Sequence, residues 1–210
     1  MTTPTTTTTT TTIRPRNPSD LPSCASLLAR VYARDGYPVQ GVSHAIEFLS
    51  SPSTLAAWVA EEEEIENAAA ATTATNNPSN QPTSKPPSIL GHVSLTSPSP
   101  TSTDPAVALW RAQQPGEPIA VLERLFVDPD ARGQGLAAKL LHAASGEAEK
   151  RGLRVVLFAL VKDEGAMRLY ERVGWREFGR RMYGYRDGEG REAEMEAVCF
   201  VGPERSSSSS

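Results

Sequence analysis

The chain has 210 residues, 39% hydrophobic, 22% charged and only 6% aromatic, with a formal net charge of −4. The threonine run before Ile13 (residues 1–12 as a disordered tail), the polar insertion at 67–88 and the tail at 202–210 cannot build a core, which leaves roughly 150 residues for a single domain over 13–201. No apolar run nears the ~20 residues of a membrane span, no secretory signal opens the chain, and Cys24 and Cys199 suggest neither a disulfide framework nor a metal site, so a cytoplasmic protein without a metal or a membrane partner is expected.

Residues 13–16 read as a short first strand. Asn17-Pro18-Ser19-Asp20 supplies cap residues for a helix from Leu21. Leu27, Leu28, Val31 and Tyr32 recur at helical spacing until Asp35-Gly36-Tyr37-Pro38 stops it. A second short helix over 43–49 precedes a strand over 55–60, which runs into the acidic block Glu61 to Glu64, read as a solvated hairpin end. A strand over 89–95 follows the insertion. Residues 96–118 are a second Pro/Ser-rich insertion with a helical patch near 107–111.

Residues 119–127 then form a strand in which Val121, Glu123, Leu125 and Val127 share one face by the period of two. Asp128-Pro129-Asp130 breaks it, and Leu136, Leu140, Leu141, Ala144 and Ala148 make an amphipathic helix up to Gly152. Residues 155–161 are continuously apolar, as in a strand covered on both faces. A helix with Ala166, Leu169, Tyr170 and Val173 ends at Gly174, and two strands complete the chain. The order is β-α-α-β-β-β-α-β-α-β-β. This predicts an α/β fold with a mixed, mostly antiparallel central sheet and one parallel βαβ unit.

Within that unit, Arg132-Gly133-Gln134-Gly135-Leu136-Ala137 lies between strand and helix. Two glycines at a helix entry let free N–H groups and the positive dipole end converge on one spot, a nest suited to pyrophosphate. Alone, such a pair is also the mark of a simple tight turn. Gly133, Gly135 and Ala138 fit a dinucleotide G-x-G-x-x-A pattern too. That reading lacks the acidic residue wanted about 20 positions later, because Asp163 comes too late. Residues 124–181 carry twelve Lys and Arg against eight Asp and Glu, while the remainder carries nine against seventeen. A basic segment in an acidic chain suits a small anionic ligand and argues against nucleic acid as a partner.

The run 125–137, Leu-Phe-Val-Asp-Pro-Asp-Ala-Arg-Gly-Gln-Gly-Leu-Ala, resembles the strand and acetyl-CoA loop of the GNAT N-acetyltransferase superfamily. Residues 166–175, Ala-Met-Arg-Leu-Tyr-Glu-Arg-Val-Gly-Trp, are similar to its second signature, with Trp175 in place of Phe. The resemblance implies acetyl-CoA as co-substrate and no metal. It assigns the pantetheine arm to the strand Leu125, Phe126 and Val127, and the pyrophosphate to the amides of Arg132, Gly133, Gln134, Gly135, Leu136 and Ala137. Tyr170 matches the tyrosine beside the thioester sulfur, where its hydroxyl can protonate the thiolate; core packing explains the same residue. Asp163 departs from the family's Asn, and no contact is carried over to it.

An alkylammonium must lose a proton before it attacks, which calls for a base. Glu123, a lone carboxylate among apolar neighbours, is the candidate; a pairing with a neighbouring Arg is the alternative, as is a water chain. The resemblance puts the acceptor mouth near Asp35, which could hold a cationic amine, and Tyr37, which could wall the pocket. A simple turn explains those two equally. The three histidines show no ligand spacing. The expected activity is acetyl transfer to a primary amine in a ternary complex. A small-molecule acceptor is favoured, a protein acceptor is open, and a homodimer is possible. A non-catalytic acyl-CoA-binding module and, more remotely, an NAD-dependent oxidoreductase are the alternatives.

Overall fold

The computed structural model describes residues 7–66 and 88–204. The insertion expected at 67–88 therefore lies, but for Ser88, outside the described residues, as do 1–6 and 205–210. Seven strands, β1 (Thr7–Pro15), β2 (Thr54–Glu66), β3 (Ser88–Thr96), β4 (Ile119–Val127), β5 (Arg154–Leu160), β6 (Arg176–Arg186) and β7 (Glu192–Val201), form one sheet in the order β1-β2-β3-β4-β5-β7-β6. Every neighbouring pair is antiparallel except β4–β5.

Alternation along the strands distributes the helices. Ala120 and Leu122 of β4 join Leu136, Leu140, Leu141, Ala144 and Ala148 of α4 (Leu136–Lys150) in the largest buried cluster. Ile119 and Val121 face the other way, onto Ala106, Val107 and Trp110 of α3 (Pro105–Gln113). The second face also carries α1 (Leu21–Asp35) and α2 (Ala45–Leu49), whose Leu27, Leu28, Val31 and Leu49 pack on Val59, Ile89 and Phe126. The last helix, α5 (Glu164–Arg172), sends Tyr170 into the α4 cluster. Gly91 leaves room for the close approach of α4 to β3: a Cβ there would stand 2.9 Å from Leu140 Cδ1 and 3.3 Å from the Phe126 carbonyl oxygen.

Three expectations need correction. The threonine run is not a tail from residue 7 onward. Thr7 to Thr12 continue β1 and pair with Glu66 to Glu61 of β2, as β-branched residues readily do on a pleated edge. The acidic block is therefore strand, and Glu61 is buried, accepting from Arg14 Nε and Nη2 at 2.6 Å each. Within residues 96–118 the helical patch expected near 107–111 is present but longer and packed, as α3 (Pro105–Gln113), so the stretch is more than a connecting insertion. Asp104 caps α3 by accepting from the Val107 N–H at 3.0 Å, and Trp110 is buried against Phe178 in an edge-on contact.

Strand β4 also departs from a simple period of two. Ser94 pairs with Glu123 but His92 with Phe126, so two residues of β4, Arg124 and Leu125, lie opposite Val93 alone. Arg124 has φ +56°, a conformation that non-glycine side chains rarely adopt. This bulge shifts the phase. Leu122, Leu125 and Val127 all pack toward α4, whereas Val121 packs toward α3.

Candidate active site

The parallel pairing of β4 with β5 covers only three positions, Ile119 to Val121 against Arg154 to Val156. Beyond them the strands diverge. Residues 125–127 then pair with no β5 residue, while 157–160 pair on their far side with β7. A cleft of about 1460 Å³ opens at this divergence. Its walls include Leu125, Phe126 and Val127 of β4, Ala159 and Leu160 of β5, the turn at Arg132 to Ala137 and Tyr170.

The turn is built by glycine conformations. Gly133 (φ +83°) and Gly135 (φ +75°) both occupy the left-handed region, and no atom lies within 4 Å of where a Cβ would stand on either. The space before the α4 N-terminus is thus open, and its free N–H groups face it. Leu136 turns inward and is buried, while Gln134 is exposed and is not part of the cleft wall.

The turn is strapped to α1. Arg132 donates through both Nη atoms to Asp35, and Arg30 Nη2 donates to the buried Asp128 at 2.5 Å. The structure thus places Asp35, expected at the acceptor mouth, against Arg132, expected at the pyrophosphate. Tyr37, from the same turn, lines the cleft, and burial pushes its phenol pKa up.

The cleft is also lined by Glu123, Tyr37, Phe158, Tyr183 and Asp104. Glu123 is paired with Arg124 Nη1 at 2.8 Å, the pairing left open as the alternative to a base. Burial, with Glu123's charge as a lesser contributor, raises the Asp104 carboxyl to about 6. Tyr183 accepts from Gln40 Nε2 at 3.1 Å and its ring lies 4.8 Å from that of Phe158. Tyr170 is buried against Trp175 and Phe200 yet still forms part of the cleft wall. Its pKa is pushed up by burial and, less, by the charge of Asp163. The phenol therefore keeps its proton through the neutral range.

Sequence reasoning missed His92, Asp104 and the Arg30–Asp128 strap. Asp104 carried a signal, as an Asp-Pro dipeptide before a helical patch marks a capped helix start. The strap and His92 join residues 98 and 32 apart in sequence, for which no local pattern exists.

The cleft thus lies where a strand parts from its parallel neighbour beside a glycine turn at a helix start. The match to the model of the acetyltransferase (GNAT) family covers residues 47–175. The chain belongs to that family.

An uncharacterized N-acetyltransferase of Methanocaldococcus jannaschii is 38% identical over 69 residues, a match spanning 32% of this chain and 30% of that relative. Among solved structures, NAA60 of Arabidopsis thaliana in complex with acetyl-CoA superposes with a TM-score of 0.60 at 20% identity, covering 91% of this chain and 97% of that one. The ribosomal-protein-S18-alanine N-acetyltransferase of Escherichia coli gives 0.54 at 19% identity, over 96% and 99% of the two chains. At these identities the two structures establish the fold. Among the described residues, no helix is long and apolar enough to cross a membrane.

Proposed function

We propose that this protein transfers an acetyl group from acetyl-CoA to a primary amine by direct attack in a ternary complex. The observation that carries the reading is the gap between β4 and β5, which leaves strand-like hydrogen-bonding groups at 125–127 beside an open helix N-terminus. Their spacing suits a ligand with an extended amide-bearing arm and a pyrophosphate. Acetyl-CoA would be held by residues 125–127 along its arm and by Arg132 to Ala137 at its phosphates, and it supplies an activated thioester.

The chain's own groups do the rest. Glu123, once released from its pairing with Arg124 at 2.8 Å, takes the proton of the incoming ammonium, directly or through water, and Tyr170 gives its proton to the departing thiolate. Holding amine and thioester together supplies much of the acceleration. The acceptor end, walled by Tyr37, Phe158 and Tyr183 and bearing Glu123 and Asp104, suits a small cationic amine.

Thermal unfolding with acetyl-CoA, with NAD as the control, tests the ligand. At about 100-fold over Kd, a bound ligand adds roughly 2.7 kcal/mol, a rise on the order of 5 to 10 °C for a domain of this size. A rise with acetyl-CoA alone is expected, and no rise at millimolar acetyl-CoA overturns the reading. An acceptor panel of small amines, amino acids and peptides with free N-termini then tests the class. Turnover confined to peptides would overturn the small-molecule part, and binding without turnover on any amine would leave an acyl-CoA-binding module.

A further inference from the structure

His92 is fully buried and stacks on Phe126 with ring centroids 5.2 Å apart. Both its nitrogens are engaged: Nε2 lies 3.0 Å from Arg16 Nη1, and Nδ1 lies 2.9 Å from the carbonyl oxygen of Arg124. A guanidinium can only donate, so Nε2 must present its lone pair. The ring proton then sits on Nδ1 and is donated to the Arg124 carbonyl. Arg16 is itself anchored, with Nη1 donating to the Leu49 carbonyl at 2.8 Å and its backbone N–H donating to Ala57. Burial, opposed by the bond to Arg124 and aided by the nearby guanidinium charges, holds His92 down at about 3 and keeps the ring neutral.

The accepting carbonyl belongs to the residue at φ +56°. At a bulge the ladder is interrupted, and a buried carbonyl left unpaired there is costly. Strand β3 supplies side-chain donors instead: Ser94 Oγ donates to the Glu123 carbonyl at 3.1 Å, and His92 donates to the next one. In a planar trans peptide, C=O and the following N–H point in opposite directions. With the Arg124 carbonyl drawn toward β3, the Leu125 N–H is directed away from β3, toward the gap.

We propose that His92 is a positioning residue. Through Nδ1–H it pins the Arg124 carbonyl at the β4 bulge and so aims the Leu125 N–H at the acyl carbonyl of a bound thioester, with Arg16 setting the ring's tautomer. This rests on the acetyl-CoA reading above.

The test compares His92→Phe, which keeps a stacking ring but has no donor, with His92→Asn, whose amide can still donate to Arg124. Affinities for acetyl-CoA and for CoA, which lacks the acyl carbonyl, are measured with kcat. Wild type is expected to bind acetyl-CoA several-fold more tightly than CoA. His92→Phe should abolish that preference and lower kcat at least tenfold, with CoA affinity within about twofold of wild type, and His92→Asn should restore both. Loss of CoA affinity in parallel with kcat, or an Asn variant as impaired as the Phe variant, overturns the proposal.

If His92→Phe does not fold, Arg16→Met reads the same relay one link out. A kcat loss of at least threefold at constant CoA affinity is expected, and an unchanged kcat overturns the role. Wild-type binding without turnover would sink the transferase reading, while the acetyl-CoA to CoA comparison would still judge His92.

Discussion

Tyr170 is the side chain in which core packing and the proposed proton donation meet. Its ring belongs to the α4-side core, within 5.5 Å of the Phe200 ring, and the residue also lines the cleft. The environment that buries the ring also keeps the phenol protonated, the state a proton donor needs. Tyr170→Phe preserves the packing, so Tm should change by no more than a few degrees. We expect kcat to fall about 100-fold, the lower range for a positioned acid, with the KM for acetyl-CoA unchanged. Steady-state kinetics beside a melting curve check this, and a kcat within threefold of wild type would reduce Tyr170 to a core residue.

At the scale of elements, the contact between α1 and the glycine turn holds Arg132, which in the proposed function would meet the phosphates of acetyl-CoA. Asp35 and Arg132 are 33% and 48% exposed, and ion pairs at such sites contribute only about 0.2–1 kcal/mol. The pair is weak enough to open, yet it competes for the guanidinium that the phosphates would use. Asp35→Asn should therefore tighten acetyl-CoA binding about two- to fivefold at low salt, with the difference shrinking as salt screens it. Calorimetric titration measures this, and weaker binding in the variant would mean that Asp35 orients Arg132 for its ligand. The turn and α4 were legible because their signals are local: a glycine pair, then an apolar stripe at helical spacing. The bulge was not, because Arg124 carries no mark of a left-handed backbone, and period-two reasoning ran straight through it. Strand β1 was misread for another reason. A uniform threonine run looks like low complexity, yet its residues suit an edge strand once β2 is there to pair with them.

For the molecule as a whole, the buried neutral His92 sets an acid limit. Its folded value of about 3 lies below the ~6.5 of an unfolded histidine. Between those values the unfolded chain binds a proton that the folded chain does not, so stability falls as pH falls, by up to about 1.4 kcal/mol per pH unit. Urea unfolding at pH 7, 5.5 and 4.5 should show a steeper decline for wild type than for His92→Asn, by roughly 1 kcal/mol per unit below 6.5. Parallel declines would show that the ring does not stay neutral. This property depends on a residue for which the sequence offered no pattern, since its partners Arg16, just after β1, and Arg124, on β4, meet it only when the four strands β1 to β4 are assembled.

The three-position seam between β4 and β5 has a mechanical consequence. It divides the sheet into a panel of four strands and a panel of three, joined along a short hinge and by the α4 crossover. A ligand lying in the gap would splint the two panels, so binding energy would be felt as stiffness across the entire sheet. Resistance to proteolysis and slow amide exchange would then spread well beyond the atoms the ligand touches.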